Sequence, residues 1–518
     1  MTMMDRVSFD DVLGTNYAPS NNERCSIKAL VESMEEELSS LNQVLLPLLA
    51  KRDKLNDRIL AHKTLLTPAR RLLPELVSEI FTHTIPSESS QFYWGSNSGS
   101  HLLFPRPRIS AAPLKLGRIC RHWRQIALSS PSLWSAVDIP TNWGVEGLRE
   151  WIRRAGSVTL SFNVNVHETN LDALNLLASY QKRWKDVMLY FDSSSDGRQF
   201  FQKYLDLLSR NYENLQTLDI QCTPPGWRET PIQPDIELTL GADSAPILCS
   251  LILNARKFKI IIPNTMPYLC LREINVGSDP IPTADLLAFL RHSPAVEDVN
   301  ACVLYTPNSI DDIITLGNLK HLRISEIYDP AGQRLFPLEK LDLPALERLS
   351  LDVPFADDWT TPFTHTRGHQ IRSLVYRSRP PLKALRIRGY GITTADIIYC
   401  TPFLRNLSCL DIEHVGISDN WDGVIQLLTA PSDGSLSGCM CPQLKEIRFG
   451  RGSHAAAPDL VIKMILSRNS VGNNKLSRVT VLSCLESDVL AHPKIKDCAE
   501  NGLKFKGADD WQFGTRTE

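Results

Sequence analysis

The chain has almost no excess of either charge: 56 lysines and arginines stand against 58 aspartates and glutamates, a formal net charge of −2. Binding along nucleic acid or an anionic membrane calls for a basic field, so neither partner is expected. Apolar runs of the length that spans a bilayer, about eighteen residues, are missing too. The N-terminus, Met1-Thr2-Met3-Met4-Asp5-Arg6, carries acid and has no apolar stretch of the secretory kind. Together these lacks point to the cytoplasm or nucleus. The 12 cysteines fall singly along the chain without the spacing of a disulfide framework, and they read as reduced thiols, many on apolar strands.

The signatures of covalent chemistry are equally scarce. The string closest to a nucleophile elbow, Gly95-Ser96-Asn97-Ser98-Gly99, has asparagine at its centre. There is no phosphate-cradling Gly-x4-Gly-Lys-Ser/Thr, no Gly-x-Gly-x-x-Gly and no His-Glu-x-x-His. Cys439-x-Cys441 is the one close thiol pair, and two thiols do not supply four zinc ligands. The basic run Arg118, Arg121, His122 and Arg124 is not continued by further aromatics or a matching basic surface and reads as a solvated helix face. No enzyme, cofactor or metal site is therefore expected.

What is present is an ordinary globular composition, 43% hydrophobic and 22% charged over 518 residues, enough for about three domains. Residues 1–24 are polar and predicted disordered. From Ile27, apolar residues recur in steps of three and four through Leu30, Met34, Leu38, Leu41, Leu45, Leu48, Leu55, Ile59 and Leu66. The spacing predicts a long amphipathic, coiled-coil-like helix over 25–66, open either to folding back on its own domain or to weak self-association. Pro47 sits mid-pattern and is expected to kink it, at a cost of about 3 kcal/mol.

Past residue 138 the pattern changes to short strands of the form apolar-x-x-apolar-x-apolar. Clear instances are Leu215/Leu218/Ile220, Leu251/Leu253 with Leu248, Leu346/Leu349/Leu351, Leu382/Leu385/Ile387 and Leu444/Ile447/Phe449. Counting weaker members, they recur at intervals of roughly 23 to 37 residues, in or somewhat above the leucine-rich-repeat range. Prolines at 246, 294, 344, 381 and 442 stand just upstream, and segments such as 284–290 and 460–466 supply helices. Such units cannot bury their apolar faces singly, so they are expected to stack as a solenoid of parallel strands. Thr223, Arg256, Asp279, Ile327 and Tyr390 stand where a leucine-rich repeat would place asparagine, so the repeats are degenerate.

Between the long helix and the strands lie two short amphipathic segments. The first, Leu72-Leu73-Pro74-Glu75-Leu76-Val77-Ser78-Glu79-Ile80-Phe81, has Pro74 in its first turn and apolar residues on one face. The second runs as a predicted helix from Leu116 to Ala127, is stopped by Ser129-Ser130-Pro131, and is followed by Leu133-Trp134. A serine- and glycine-rich insertion, residues 86–113, separates them. It carries Phe92-Tyr93-Trp94 at its centre and Phe104-Pro105-Arg106-Pro107-Arg108 near its end.

In order and type, Leu73-Pro74-Glu75-Leu76, Ile80-Phe81, Ile119-Cys120, Trp123-Arg124 and Leu133-Trp134 resemble the F-box pattern, and the flanks resemble the F-box proteins of mushroom-forming fungi. The resemblance implies an α/β chain: an N-terminal helical region with F-box helices, then a leucine-rich-repeat-like solenoid of short parallel strands and helices. The boundaries expected are 1–24, 25–66, 67–138 for the F-box with its insertion, 139–495 for the repeats and 496–518 for a polar tail. It further implies a substrate-recognition adaptor of a Skp-cullin-F-box ubiquitin ligase, or an F-box-bearing scaffold without ligase activity. The adaptor-binding residues would be Leu73, Pro74, Glu75, Leu76, Ile80, Phe81, Leu116, Ile119, Cys120, Trp123 and Ile126, docking on a Skp-type adaptor and through it on cullin. An unknown protein substrate would meet the strand face, with Arg348, Arg386 and Arg448 as its candidate contacts.

Overall fold

The computed structural model describes residues 8–66, 71–85, 104–192, 194–208, 211–222, 236–254, 258–261, 266–306, 312–326, 336–352, 366–388, 392–413, 421–431, 440–450, 455–469 and 475–508. The chain divides into two compact units, Met1–Val77 and Ser78–Glu518.

The first unit is dominated by one helix, α1 (Asn21–Leu65). It begins four residues earlier than the apolar spacing indicates, because Ser20 and Glu23 form a reciprocal capping box that satisfies the first free N–H groups. It also runs through Pro47 as a single helix, and none of its residues is buried. The unit ends inside a second helix, α2 (Pro74–Thr82).

The second unit opens with the rest of α2, then a 3-10 turn (Leu116–Arg118) and α3 (Arg121–Ser129). A single helix over 116–127 is predicted from the periodicity, but the structure breaks it at Cys120. That residue is extended, and its Sγ accepts a hydrogen bond from the Trp123 N–H at 3.4 Å as an N-cap. Gly117, a poor helix former, lies in the turn before it.

After α3 the chain builds a 14-stranded, all-parallel sheet. Its first strands and helices are β1 (Ala136–Ile139), α4 (Val145–Ala155), β2 (Leu160–Val166), α5 (Leu171–Ser179), β3 (Trp184–Phe191), α6 (Ser195–Leu207) and β4 (Thr217–Cys222). β5 (Ile236–Thr239) and β7 (Phe258–Ile261) make a small separate sheet around β6 (Ser250–Asn254). There follow β8 (Glu273–Pro282), α7 (Thr283–Arg291) and β9 (Asp298–Leu304). β10 (Ile314–Thr315) and β12 (Leu341–Asp342) pair with each other, flanking β11 (His321–Glu326). The array ends with β13 (Arg348–Asp352), α8 (Thr366–Ser378), β14 (Ala384–Arg388), α9 (Thr394–Cys400), β15 (Cys409–Ile412), α10 (Asp422–Leu428), β16 (Glu446–Phe449), α11 (Pro458–Asn469), β17 (Arg478–Leu485), α12 (Glu486–Leu490), α13 (Pro493–Glu500) and β18 (Lys504–Ala508).

Strands pair in chain order, so each unit touches its neighbours and the array is the stacked α/β arrangement the repeats predict. The three-point apolar pattern sets the inward face. At β13, Leu346 just before the strand and Leu349 and Leu351 within it are buried, and the register aligns Leu349 with Leu322 before it and Leu385 after it. The sheet exceeds the predicted span at both ends. β1 starts at Ala136, ahead of the expected boundary at 139, and α13 with β18 occupies 493–508, where a polar tail is expected beyond 495. Ile495 and Leu503 are buried there, which the charged residues around them conceal in the sequence.

Outside β1, the Pro105 carbonyl accepts the Asp138 N–H at 3.0 Å and Arg106 Nε lies 2.6 Å from Asp138 Oδ2. The last part of the insertion is thus seated along the first strand. The Phe92-Tyr93-Trp94 cluster lies outside the described residues, as do Thr223, Arg256, Ile327, Tyr390 and Cys439. Near the C-terminal end, Arg468 of α11 is 2% exposed. It donates from Nε to the Leu428 carbonyl at 2.6 Å, from Nη1 to Cys441 at 3.1 Å and from Nη2 to Met440 at 2.6 Å. No described helix is long and apolar enough to cross a membrane.

Candidate protein-interaction surfaces

The residues at F-box positions sort into two groups. In the second unit, Phe81, Leu116 and Ile126 are buried within the chain, and the Phe81 ring meets Trp123 edge-on with centroids 5.0 Å apart. Ser78 Oγ and Ser130 Oγ lie 2.8 Å apart, so α2 and the end of α3 are also tied by a polar contact. Expecting Phe81, Leu116 and Ile126 to meet an adaptor is therefore corrected: they hold the helices to their own domain. Ile80 and Ile119, in contrast, are 48% and 56% exposed, and Cys120 is exposed with its sulfur engaged as a cap. In the first unit Leu73, Pro74, Glu75 and Leu76 are all exposed. Periodicity alone could not make this division, because it groups residues on a face without saying what covers the face.

The second surface is the outward side of the parallel sheet. Side chains alternate along each strand, so residues between the buried positions form rows that run across the stack. One row, set by backbone register, is Asn300, Arg323, Ser350, Arg386, Asp411 and Arg448. Arg386 and Arg448 therefore share a row, as the strand pattern predicts. Arg348 lies one row away, in line with Ala384 and Cys409.

These arginines are not the freely solvated selectors that the sequence leads one to expect. Arg386 Nε lies 3.2 Å from Asp411 Oδ2, with only 11% of its side chain exposed. Arg448 reaches Asp411 at 3.7 Å and Glu413 at 3.9 Å. Arg388 bridges Glu413 at 2.9 Å and Asp352 at 3.9 Å, and Arg323 reaches Asp352 at 3.2 Å. The result is an ionic ladder from β11 to β16. Burial pushes the Asp411 carboxyl up to about 6, although Arg448 and Arg388 pull it down.

The outward face also changes sign along the stack. From β1 to β9 it carries Asp138, Asp186, Asp219, Glu273 and Asp298, with Lys185 beside Asp186 at 3.5 Å. From β11 to β17 it carries Arg323, Arg348, Arg386, Arg388, Arg448 and Arg478 against fewer acids. This polarity is invisible in the net charge and appears only once register is known.

Asp219 is the most deeply placed of the acids, 1% exposed, with Gln221 Nε2 donating to both oxygens at 3.1 and 3.2 Å. Burial pushes its carboxyl up to about 7; the Gln221 bond lowers it, and Glu273 raises it further. A carboxyl whose folded pKa lies above its unfolded value stabilises the fold most at low pH and loses that contribution as pH rises through the folded value. Asp219→Asn is thus expected to raise stability at pH 8 by a few kcal/mol at most, since each tenfold difference in proton affinity between the folded and unfolded chain is worth about 1.4 kcal/mol. The gain should shrink towards pH 5, as urea denaturation at the two pH values would show.

Burial pushes the Cys400 thiol up to about 12, and those of Cys222, Cys409 and Cys484 up to about 11, so these sulfurs stay protonated and poorly nucleophilic at neutral pH. Among the described residues no group of three or more His, Cys, Asp or Glu side chains is arranged to hold a metal ion. The chain matches no protein-family model and no curated protein.

Proposed function

We propose that this chain is a substrate-recognition adaptor of a Skp-cullin-F-box type ubiquitin ligase, its F-box-like helices docking on a Skp-type adaptor and its sheet face holding a protein substrate. The observation that carries the reading is the division within the motif. Phe81 and Trp123 close the helices onto their own domain, while Ile80 and Ile119 remain in solvent at motif positions. Large apolar side chains left exposed at the places where the pattern puts partner contacts fit a docking surface better than a solvated one. In this reading no residue of the chain breaks or makes a covalent bond. The chain acts by raising the local concentration of a substrate near a ubiquitin-charged enzyme.

The sheet face suggests the kind of substrate: a protein whose surface presents basic groups to strands β1–β9 and acidic groups to the later strands. Such complementarity would set orientation and encounter rate more than raw affinity.

The test is copurification with a recombinant Skp-type adaptor and cullin. Ile80→Asp with Ile119→Asp is expected to weaken adaptor binding about thirtyfold or more, two apolar contacts at roughly 1–2 kcal/mol each, with circular dichroism unchanged. Adaptor binding that survives the double substitution would remove the docking assignment. Adaptor binding without cullin would favour the scaffold over the ligase.

A further inference from the structure

We propose that α1 pairs with α1 of a second copy of this chain as an antiparallel two-stranded coiled coil whose two-fold axis passes beside Pro47. The helix carries an unbroken alternation of four- and three-residue steps. One set of seam positions is Val31, Leu38, Leu45, Arg52, Ile59 and Leu66; the other is Ile27, Met34, Leu41, Leu48, Leu55 and His62. Only Arg52 and His62 are polar, and a strict seven-residue repeat of this length marks a supercoiled seam rather than a helix wrapped onto a globular core. The seam is uncovered: Leu38, Leu41 and Leu48 are 59%, 60% and 57% exposed. A helix of 45 residues is about 65 Å long, so the open stripe far exceeds the apolar patches that monomers tolerate.

Charge distribution selects the occupant and its direction. Before Pro47, α1 holds Glu23, Glu32, Glu35, Glu36 and Glu37 against Arg24 and Lys28. After it stand Lys51, Arg52, Lys54, Arg58 and Lys63 against Asp53 and Asp57. A parallel pair would set the acidic halves together and the basic halves together, with Arg58 flanking Lys63 of the second copy. An antiparallel pair sets acid against base. With Leu45 facing Leu48 of the second copy, every seam position finds a partner: Leu38 meets Leu55, Ile59 meets Met34, and Leu66 meets Ile27. Glu37 then flanks Arg58 of the second copy, twice by symmetry. Lys28 beside Lys63 is an unfavourable pairing, confined to the ends.

Pro47 fits this arrangement. It lies at an outer position of the repeat, away from the seam, and any bend from its missing backbone bond falls at the axis in both copies, where the two curvatures match.

Light scattering and sedimentation of the full-length chain at micromolar concentration should show a dimer. Glu37→Arg should weaken it about tenfold or more, since two attractive pairs become repulsive, and Glu37→Arg with Arg58→Glu in the same chain should restore it. That rescue separates pairing from loss of fold. Direction is read by mixing Leu41→Cys chains with Arg52→Cys chains and mapping disulfides by peptide mass spectrometry. Bonds between 41 and 52 support the proposal. A monomeric wild type, failure of the charge swap to rescue, or bonds joining 41 to 41 and 52 to 52 would overturn it.

Discussion

Arg468→Ala is expected to lower the stability of the strand array by about 2–4 kcal/mol, because it takes the guanidinium donor from the Leu428 and Met440 carbonyls at roughly 1–3 kcal/mol each, partly offset where water enters, while the Cys441 carbonyl keeps the Leu444 N–H at 3.1 Å. The carbonyls of Leu428, Met440 and Cys441 belong to two separate stretches of chain, and one guanidinium joins both to α11. Lysine should rescue little, since a single ammonium cannot reproduce the planar fork. Guanidinium denaturation followed by circular dichroism would give the magnitude. A loss under about 1 kcal/mol would show that the carbonyls find other donors.

Reversing Arg386 is expected to be nearly as costly, on the order of 3–4 kcal/mol, because a glutamate there would place a second carboxylate against Asp411 in a site with little solvent. Arg448→Glu should cost less, its side chain being 41% exposed. Combined reversal of Arg348, Arg386 and Arg448 is therefore expected to destabilise the array rather than simply change substrates, contrary to the reading of these residues as free selectors. Urea midpoints of the single and triple variants decide the matter. A triple variant as stable as wild type would mean that the ladder contributes nothing measurable, as holds for most exposed ion pairs.

Much of this architecture is legible in the sequence, and the reason is geometric. Each three-point apolar unit named from Leu215/Leu218/Ile220 to Leu444/Ile447/Phe449 becomes a strand of the one sheet, because those spacings place all three side chains inward as the chain enters an extended segment. β2 escapes the pattern, although Leu160, Phe162, Val164 and Val166 alternate cleanly, because it lacks the upstream apolar residue of the repeat. β18 escapes it because Lys504 and Lys506 outweigh Phe505 in any local reading. For the candidate sites the limit is different. Residue type identifies Ile80 and Phe81 together, but only the fold reveals that one points to solvent and its neighbour is sealed behind Trp123. Likewise, whether an arginine on a strand is free or paired depends on register, which a one-residue slip would invert.

The seating of residues 104–108 along β1 has a consequence for how copies of this chain avoid one another. A stack of parallel strands has two open borders, each offering a row of unsatisfied backbone groups to which a foreign strand can add. On the β1 border that row is occupied in part by the Pro105 carbonyl, and Pro105 and Pro107 themselves have no N–H with which to continue a ladder. At the β18 border the exposed Lys504 and Lys506 present charge instead. The serine-rich insertion thus delivers a guard as well as a spacer. Shortening it until residues 104–108 can no longer reach β1 would leave the strand array intact but free to join end to end into filaments.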